Sequence, residues 1–262
     1  MDPTLWNAAL GLLAQQTNLD VVAHNVANIN TVGFKRAMTN FENLASAEAQ
    51  IVSPDTWPAT PTPEDLAAAL GAVLATPKLV FSQGNLQSTD NPLDVAINGE
   101  GFFQVQQADG SIAYTRNGSF KIDGSGRLTT SSGCFLLPLV NVPTTASGVV
   151  FRPNGEIHAQ ISDTGASQRI GSIQLAVFAD PSALVSIGGN LYVPTDSSGQ
   201  PTLGNAGTGN CGALICGMLE MSNVDLVSEM TSLILSQRAY QMNLRTLETI
   251  DQMAEDAVKL QG

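Results

Sequence analysis

Apolar residues recur in alternating steps of three and four from the start of the chain: Leu5, Ala8, Leu12, Leu19, Val22, Val26 and Ile29, with Gln15 the one polar residue in the run. A period of 3.5 draws one narrow apolar stripe along a helix and favours packing against other helices. The same period returns at the far end through Leu226, Met230, Leu233, Tyr240, Leu244, Leu247, Ala254 and Val258, interrupted by polar Gln237 and Asp251. Ser222 or Asn223 suits the cap of this second helix, and Asp225 suits the positive end of its dipole. One reading is a pair of amphipathic core helices in a globule. The other is a pair of terminal helices forming a coiled coil with each other or with neighbouring chains.

Between the helices the pattern changes twice. Residues 39–50 are compatible with more helix. The stretch SPDTWPATPTP, residues 53–63, holds four prolines, which forbid helix and central strand and leave an extended chain. Residues 64–74 are Ala-rich and suit a short helix. From Phe81 to about Val193 the period falls to two, in segments such as DVAI (94–97), FQVQ (103–106) and SFKI (119–122). Asn98-Gly99, Asp109-Gly110, Asn117-Gly118 and Asp123-Gly124 separate them, pairs that supply the positive φ angles of tight hairpins. Residues 149–161, turning at Pro153-Asn154-Gly155, read as a further hairpin, 170–178 as a longer strand, and 195–212 as loop.

The predicted fold class is α+β. Terminal helical segments, 1–36 and 218–262, pair as a discontinuous coiled-coil domain. A Pro/Ala-rich connector spans 37–80, and an antiparallel all-β domain is inserted over 81–217.

The first helix ends on HNVANINTVGFKR, residues 24–36. Gly33 can take the left-handed conformation that closes a helix, and Phe34 can pack back on the last turn. Lys35 and Arg36 lie near the negative end of the dipole. Asn25 and Asn28 need a different explanation: amides three apart on a helix suit hydrogen bonds to another helix or subunit.

Composition narrows the chemistry. The net charge of −12 disfavours nucleic acid, which is bound through Lys and Arg, and no stretch is apolar enough for membrane insertion. Charged residues make up 13% of the chain, about half the usual share, which suits a surface covered by other copies or, equally, a monomer with a neutral surface. The N-terminus shows no Sec-type signal, so the expectation is a cytoplasmic protein or one exported without a cleaved signal peptide. Cys134, Cys211 and Cys216 form no metal-binding pattern; a Cys211–Cys216 disulfide stays open. The two histidines, His24 and His158, sit in no recognised catalytic motif. No catalytic, cofactor-binding or metal-binding residue is therefore assigned, and no enzyme activity is expected. The readings from other classes are a β-domain adhesin or carbohydrate-binding module using Trp57, and an enzyme with a cleft around His158.

Residues 21–34 resemble the N-terminal signature of bacterial flagellar rod and hook proteins. Asn25, Ala27, Asn28, Thr31, Gly33 and Phe34 stand in its places; His24 departs from the Asn or Ser more common there. SQGNL (82–86), PLDVAI (92–97), GEGFF (99–103), YTRNGSF (114–120) and SIGGNLY (186–192) look like the family's β domain, and EMSNVD (220–225) and QRAYQMN (237–243) like its closing helix. Within the family the chain looks most like the distal rod subunit; the β-bearing proximal rod protein is the near alternative, and the connector departs most. The resemblance implies a structural subunit of the flagellar basal body, polymerising helically into the drive shaft that carries motor torque to the hook. It implies export through the flagellar type III apparatus to a rod crossing the periplasm. Its partners would be copies of itself, other rod proteins, the hook protein and the P- and L-ring bushing proteins. Subunit assembly would fall to Leu5, Leu12, Leu19, Val22, Asn25, Val26, Asn28, Ile29, Gly33 and Phe34, with Leu226, Met230, Leu233, Gln237, Tyr240, Leu244 and Leu247.

Overall fold

The computed structural model describes residues 3–43, 73–143, 146–161 and 167–260. These hold two long helices and a large antiparallel β region, an α+β fold. The chain divides into two units, each drawn from separate stretches of sequence. The helical unit draws on 1–27, 37–78 and 225–262, and the β unit on 28–36 and 79–224.

In the helical unit, α1 runs Pro3–Ala27 and α2 runs Leu226–Leu260. Pro3 occupies the first helical position, where its missing N–H costs nothing. The α1 helix stops before Gly33, earlier than its apolar period suggests. The Asn28 carbonyl accepts the Thr31 N–H at 3.1 Å, a turn bond in place of a helical one. The Thr31 hydroxyl adds a bond to the Asn28 side chain at 3.2 Å, and such local pairing competes with the helix ladder. Gly33 does adopt the expected left-handed backbone, with φ of 70°. At the start of α2 the cap is Asp225, whose Oδ1 accepts the Val227 N–H at 3.4 Å and whose carbonyl accepts the Glu229 N–H at 3.0 Å. Ser222 and Asn223 are used elsewhere.

Two strands, β1 (Ala37–Asn43) and β2 (Val73–Leu79), pair in a small sheet. Strand over 39–43 corrects the expectation of helix there. The reason is local: the Asn25 amide holds both backbone groups of Ala37, at 3.0 and 2.7 Å, and so starts an extended segment. The rest of the helix expected over 39–50, the proline run 53–63 with Trp57, and most of the helix expected over 64–74 lie outside the described residues. Val73 and Leu74, at the end of that stretch, are strand.

The β unit continues with β3 (Leu86–Ser88), β4 (Val95–Asn98), β5 (Phe102–Gln106), β6 (Ile112–Thr115), β7 (Phe120–Ile122), β8 (Leu128–Thr130) and β9 (Phe135–Leu137). Then come β10 (Ala146–Phe151), β11 (Glu156–Ile161), β12 (Ser167–Ser172), β13 (Gln174–Val177) and β14 (Val185–Gly188). Last are β15 (Leu191–Val193), β16 (Thr202–Asn205), β17 (Ala213–Cys216) and β18 (Met218–Glu220). Among the described residues the largest sheet orders β14-β15-β6-β5-β9-β8-β7, and β13 bridges β5 to β16. The expected hairpin at 149–161 is present as β10 and β11. The expected strand 170–178 is split at Ile173 into β12 and β13, which belong to different sheets. The expected loop 195–212 contains β16.

Strand β5 explains the core. Both of its faces are buried, which is why it reads as a near-continuous apolar run. Phe103 packs edge-to-face on Phe120, centroids 5.1 Å apart, in a core with Ile97, Leu128, Leu136, Ile157, Leu175 and Leu214. Phe102 faces an aromatic cluster of Tyr114, Phe178 and Tyr192, with Phe81 against it. Gly118 is required by proximity rather than by a left-handed turn, since a Cβ there would lie 1.6 Å from the Val95 carbonyl oxygen. Replacing Phe103 by Ala is expected to lower the unfolding free energy of the β unit by about 3–5 kcal/mol. Urea denaturation followed by β-sheet circular dichroism measures this; an unmoved midpoint would contradict the packing described.

Candidate functional site

The helices of the helical unit meet through polar and small residues. Asn25 Nδ2 donates to Glu229 Oε2 at 3.3 Å, and both residues are buried. One heptad toward the N-terminus of α1, Asn18 Nδ2 donates to Ser236 Oγ at 2.6 Å. One heptad further, a Cβ on Gly11 would sit 3.5 Å from the Asn243 amide nitrogen. Residue numbers fall by seven on α1 as they rise by seven on α2, so α1 and α2 run antiparallel in one fixed register. Asn25 and Asn18 do a second job. Asn25 also holds Ala37, and Asn18 Oδ1 accepts the Thr39 hydroxyl, so each amide ties α2 and β1 to α1 together.

This register settles where the expected assembly residues lie. Val22 and Asn25 are buried, and Leu12, Leu19 and Val26 are half-buried. On α2 the half-buried Leu233, Tyr240 and Leu247 alternate with Glu229, Ser236 and Asn243 along the inner stripe. Met230, Gln237 and Leu244, expected in that stripe, are each one residue further on and lie exposed, as does Leu226. One residue is a rotation of about 100°. Because the facing stripe of α1 carries Gly11, Asn18 and Asn25, α2 meets those positions with Asn243, Ser236 and Glu229 and turns several apolar side chains outward. Val227 is 72% exposed, Met242 68%, Leu235 62%, Met230 54% and Ile234 51%. The Leu5 side chain lies outside the described residues. Asn18 was missed as a site residue; its signal was the seven-residue spacing from Asn25.

The remaining expected residues belong to the β unit. Asn28 and Ile29 are half-buried in the turn after α1, while Gly33 and Phe34 are buried. Gly33 N–H donates to the Glu220 carbonyl at 2.8 Å, and a Cβ at Gly33 would lie 2.6 Å from the Asn117 nitrogen. Next in sequence, Lys35 enters the interior. Its ammonium bonds Glu220 Oε1 at 2.6 Å and the Ser82 carbonyl at 2.7 Å. Glu220 Oε1 also accepts the Gly84 N–H at 3.0 Å, and Oε2 accepts Arg116 Nη1 at 3.2 Å. Arg116 Nη2 donates to the Gly99 carbonyl at 2.9 Å, and its guanidinium lies over the Phe102 ring at 5.3 Å. Burial pulls the Lys35 ammonium below its ordinary range, with Glu220 opposing the shift. Burial likewise pushes the Tyr192 phenol up. Asn223 closes the same region: it accepts the Arg36 N–H at 2.7 Å and donates to the Val80 carbonyl at 2.8 Å. Lys35 and Arg36, expected to answer a helix dipole, instead anchor the segment 33–36 inside the β unit.

The hydrolytic reading meets a partial arrangement. His158 Nδ1 lies 3.2 Å from Ser167 Oγ, and Nε2 lies 3.4 Å from Glu156 Oε2. Ser167 is exposed on the outward face of β12, and Glu156 is shared with Arg169 at 3.4 Å. An exposed serine works in bulk dielectric, where an oxyanion gains little from fixed dipoles. The three cysteines are free thiols, so no Cys211–Cys216 bridge exists.

Comparison with known proteins covers both units. Residues 5–35 match the family described as Flagella basal body rod protein. Residues 96–159 match Flagellar hook protein FlgE/F/G D1 domain, and 216–260 match Flagellar basal body rod FlgEFG protein C-terminal. The chain is 40% identical over 255 residues to the flagellar basal-body rod protein FlgG of Buchnera aphidicola subsp. Baizongia pistaciae, covering 97% of this chain and 98% of that protein. It is 40% identical to FlgG of Agrobacterium fabrum, over 94% of this chain and 95% of that protein. It is 35% identical to FlgG of Bacillus subtilis, over 98% of each.

Two substitutions test the geometry. Glu220→Ala leaves two buried cations without their anion and is expected to cost about 3–5 kcal/mol, read as a fall in the melting temperature of the β unit. Asn25→Ala removes the amide contact from the buried Glu229 carboxylate and from both Ala37 backbone groups. A loss of about 1–3 kcal/mol is expected in helical melting followed at 222 nm. Wild-type melting in either variant would contradict the contact concerned.

Proposed function

This chain belongs to the flagellar basal-body rod protein family, a structural subunit of the distal rod of the FlgG type, and we propose how its architecture serves that role. Copies polymerise helically through the terminal helices, and the resulting tube carries torque toward the hook. The observation that carries this is the outward apolar surface of α2. A 35-residue helix with Val227, Met230, Ile234, Leu235, Met242 and Met253 more than half exposed presents area suited to cover by another chain.

The intrachain pairing acts as an antiparallel coiled coil with a polar stripe. That stripe fixes which face turns outward, and the outward face drives growth by apolar burial. The contact must be heterologous and non-closing, which builds a helix of subunits and not a ring. Leu226, Met230 and Leu244, displaced from the inner stripe, become contacts between copies, together with Leu12, Leu19 and Val26. The terminal helices serve as the axial core, and the β domain over about 81–217 is the subunit's second domain.

Further roles follow from the family resemblance. The subunit leaves the cell through the flagellar type III apparatus without a cleaved signal. It stands in the rod crossing the periplasm, between other rod proteins and the hook protein, within the P- and L-ring bushing. It acts mechanically and has no enzymatic role.

Electron microscopy of the concentrated full-length chain tests the reading, with helical tubes expected. The triple substitution Leu226→Asp, Met230→Asp, Leu244→Asp is expected to abolish tubes while the β unit melts at its wild-type temperature. Tubes that persist in this variant would overturn the proposed use of α2.

A further inference from the structure

Beyond their inner stripe, α1 and α2 each carry a second stripe at the same period, and this one faces solvent. On α1 it runs Gln16, Asp20, Ala23 and Ala27, all exposed. On α2 it runs Leu235, Arg238, Met242 and Arg245, with Leu235 62% and Met242 68% exposed. Asp20 is the sole Asp, Glu, Lys or Arg in α1, and the two arginines lie one heptad apart on α2.

We propose that the outer stripe of α1 in one copy docks against the outer stripe of α2 in the next, with Asp20 opposite Arg238. The inference rests on the polymerisation reading above and deepens it by naming a second pair of surfaces, apart from Leu226, Met230 and Leu244, and their register. Three features support it. The steps of three and four match between the stripes, so in the proposed register three successive positions on one meet three on the other. The charges are complementary and sit at mid-stripe. Large side chains also meet small or slender ones. Copies related along a polymer axis keep one direction, so α1 of one copy runs against α2 of the next, as it does within the chain. With Asp20 opposite Arg238, Leu235 falls on Ala23 and Met242 on the methylene stem of Gln16, so an apolar side chain of α2 flanks the ion pair on each side. With Asp20 opposite Arg245, one flank would be Thr249 in place of an apolar residue, and Leu235 would lose its place beside the pair.

The test is the critical concentration for tube formation by the full chain, measured by sedimentation at low and high salt. Asp20→Arg replaces attraction by repulsion. It is expected to raise the critical concentration about 2- to 30-fold in low salt, from the worth of an exposed ion pair counted twice. The effect should vanish near 1 M salt, where charges are screened within about 3 Å. The double variant Asp20→Arg, Arg238→Asp is expected to recover wild-type assembly, and Asp20→Arg, Arg245→Asp is not. Rescue by Arg245→Asp instead, or by neither, overturns the pairing. So does an Asp20→Arg chain that assembles normally, or one whose defect survives high salt. In those cases wild-type tubes leave the polymerisation reading standing. A wild-type chain that forms no tubes at any concentration overturns both.

Discussion

A single carboxylate, Glu220, stands between two cations in the dry interior of the β unit, and three separate stretches of chain converge on it. Lys35 comes from the segment that follows α1, Arg116 from the end of β6, and Glu220 itself from β18. Transfer of these charges out of water costs several kcal/mol each, so the arrangement persists only because nearly every lone pair and proton finds a partner. Ser82, Gly84 and Gly99 supply those partners from backbone. The energetic gain of such a cluster over an apolar core is small. Its structural consequence is larger. Lys35 can be buried in one place only, and that place fixes where the chain enters the β unit and where it leaves.

The helical unit buries polar side chains and exposes several large apolar ones. Its internal contact interleaves Asn18, Asn25, Glu229 and Ser236 with apolar Ala14, Val22, Leu233 and Tyr240, and its free surface carries Val227, Ile234, Leu235 and Met242. A protein meant to remain alone would place these the other way round. Polar contacts inside give direction and stagger at modest stability. The exposed apolar residues are the surface on which the proposed contact between copies rests.

Much of this fold was legible before any coordinates. The change of period from three-and-four to two marks the β region, and Gly33 is left-handed as its place after the asparagines suggests. The inner face of α2 was not legible, because apolar periodicity alone assigns the larger side chains inward. Met230 and Leu244 fit that rule, yet the deciding information was on α1, in Gly11, Asn18 and Asn25. The strand at 39–43 was hidden for a similar reason. Its extended start is held by Asn25, twelve residues earlier in sequence. The charge cluster was likewise invisible, since nothing in the spacing of Lys35, Arg116 and Glu220 brings them together; only the β topology does.

The three rungs between α1 and α2 are chemically unlike one another: amide with carboxylate, amide with hydroxyl, glycine with amide. Coiled helices with identical rungs can slide by a whole heptad and find equivalent partners. Here a seven-residue slip would face Asn25 with Ser236 and leave Glu229 buried without its amide. The pair can therefore count its own repeats. An insertion of one heptad into either helix would preserve the apolar rhythm and still be detected, because it separates Glu229 from Asn25.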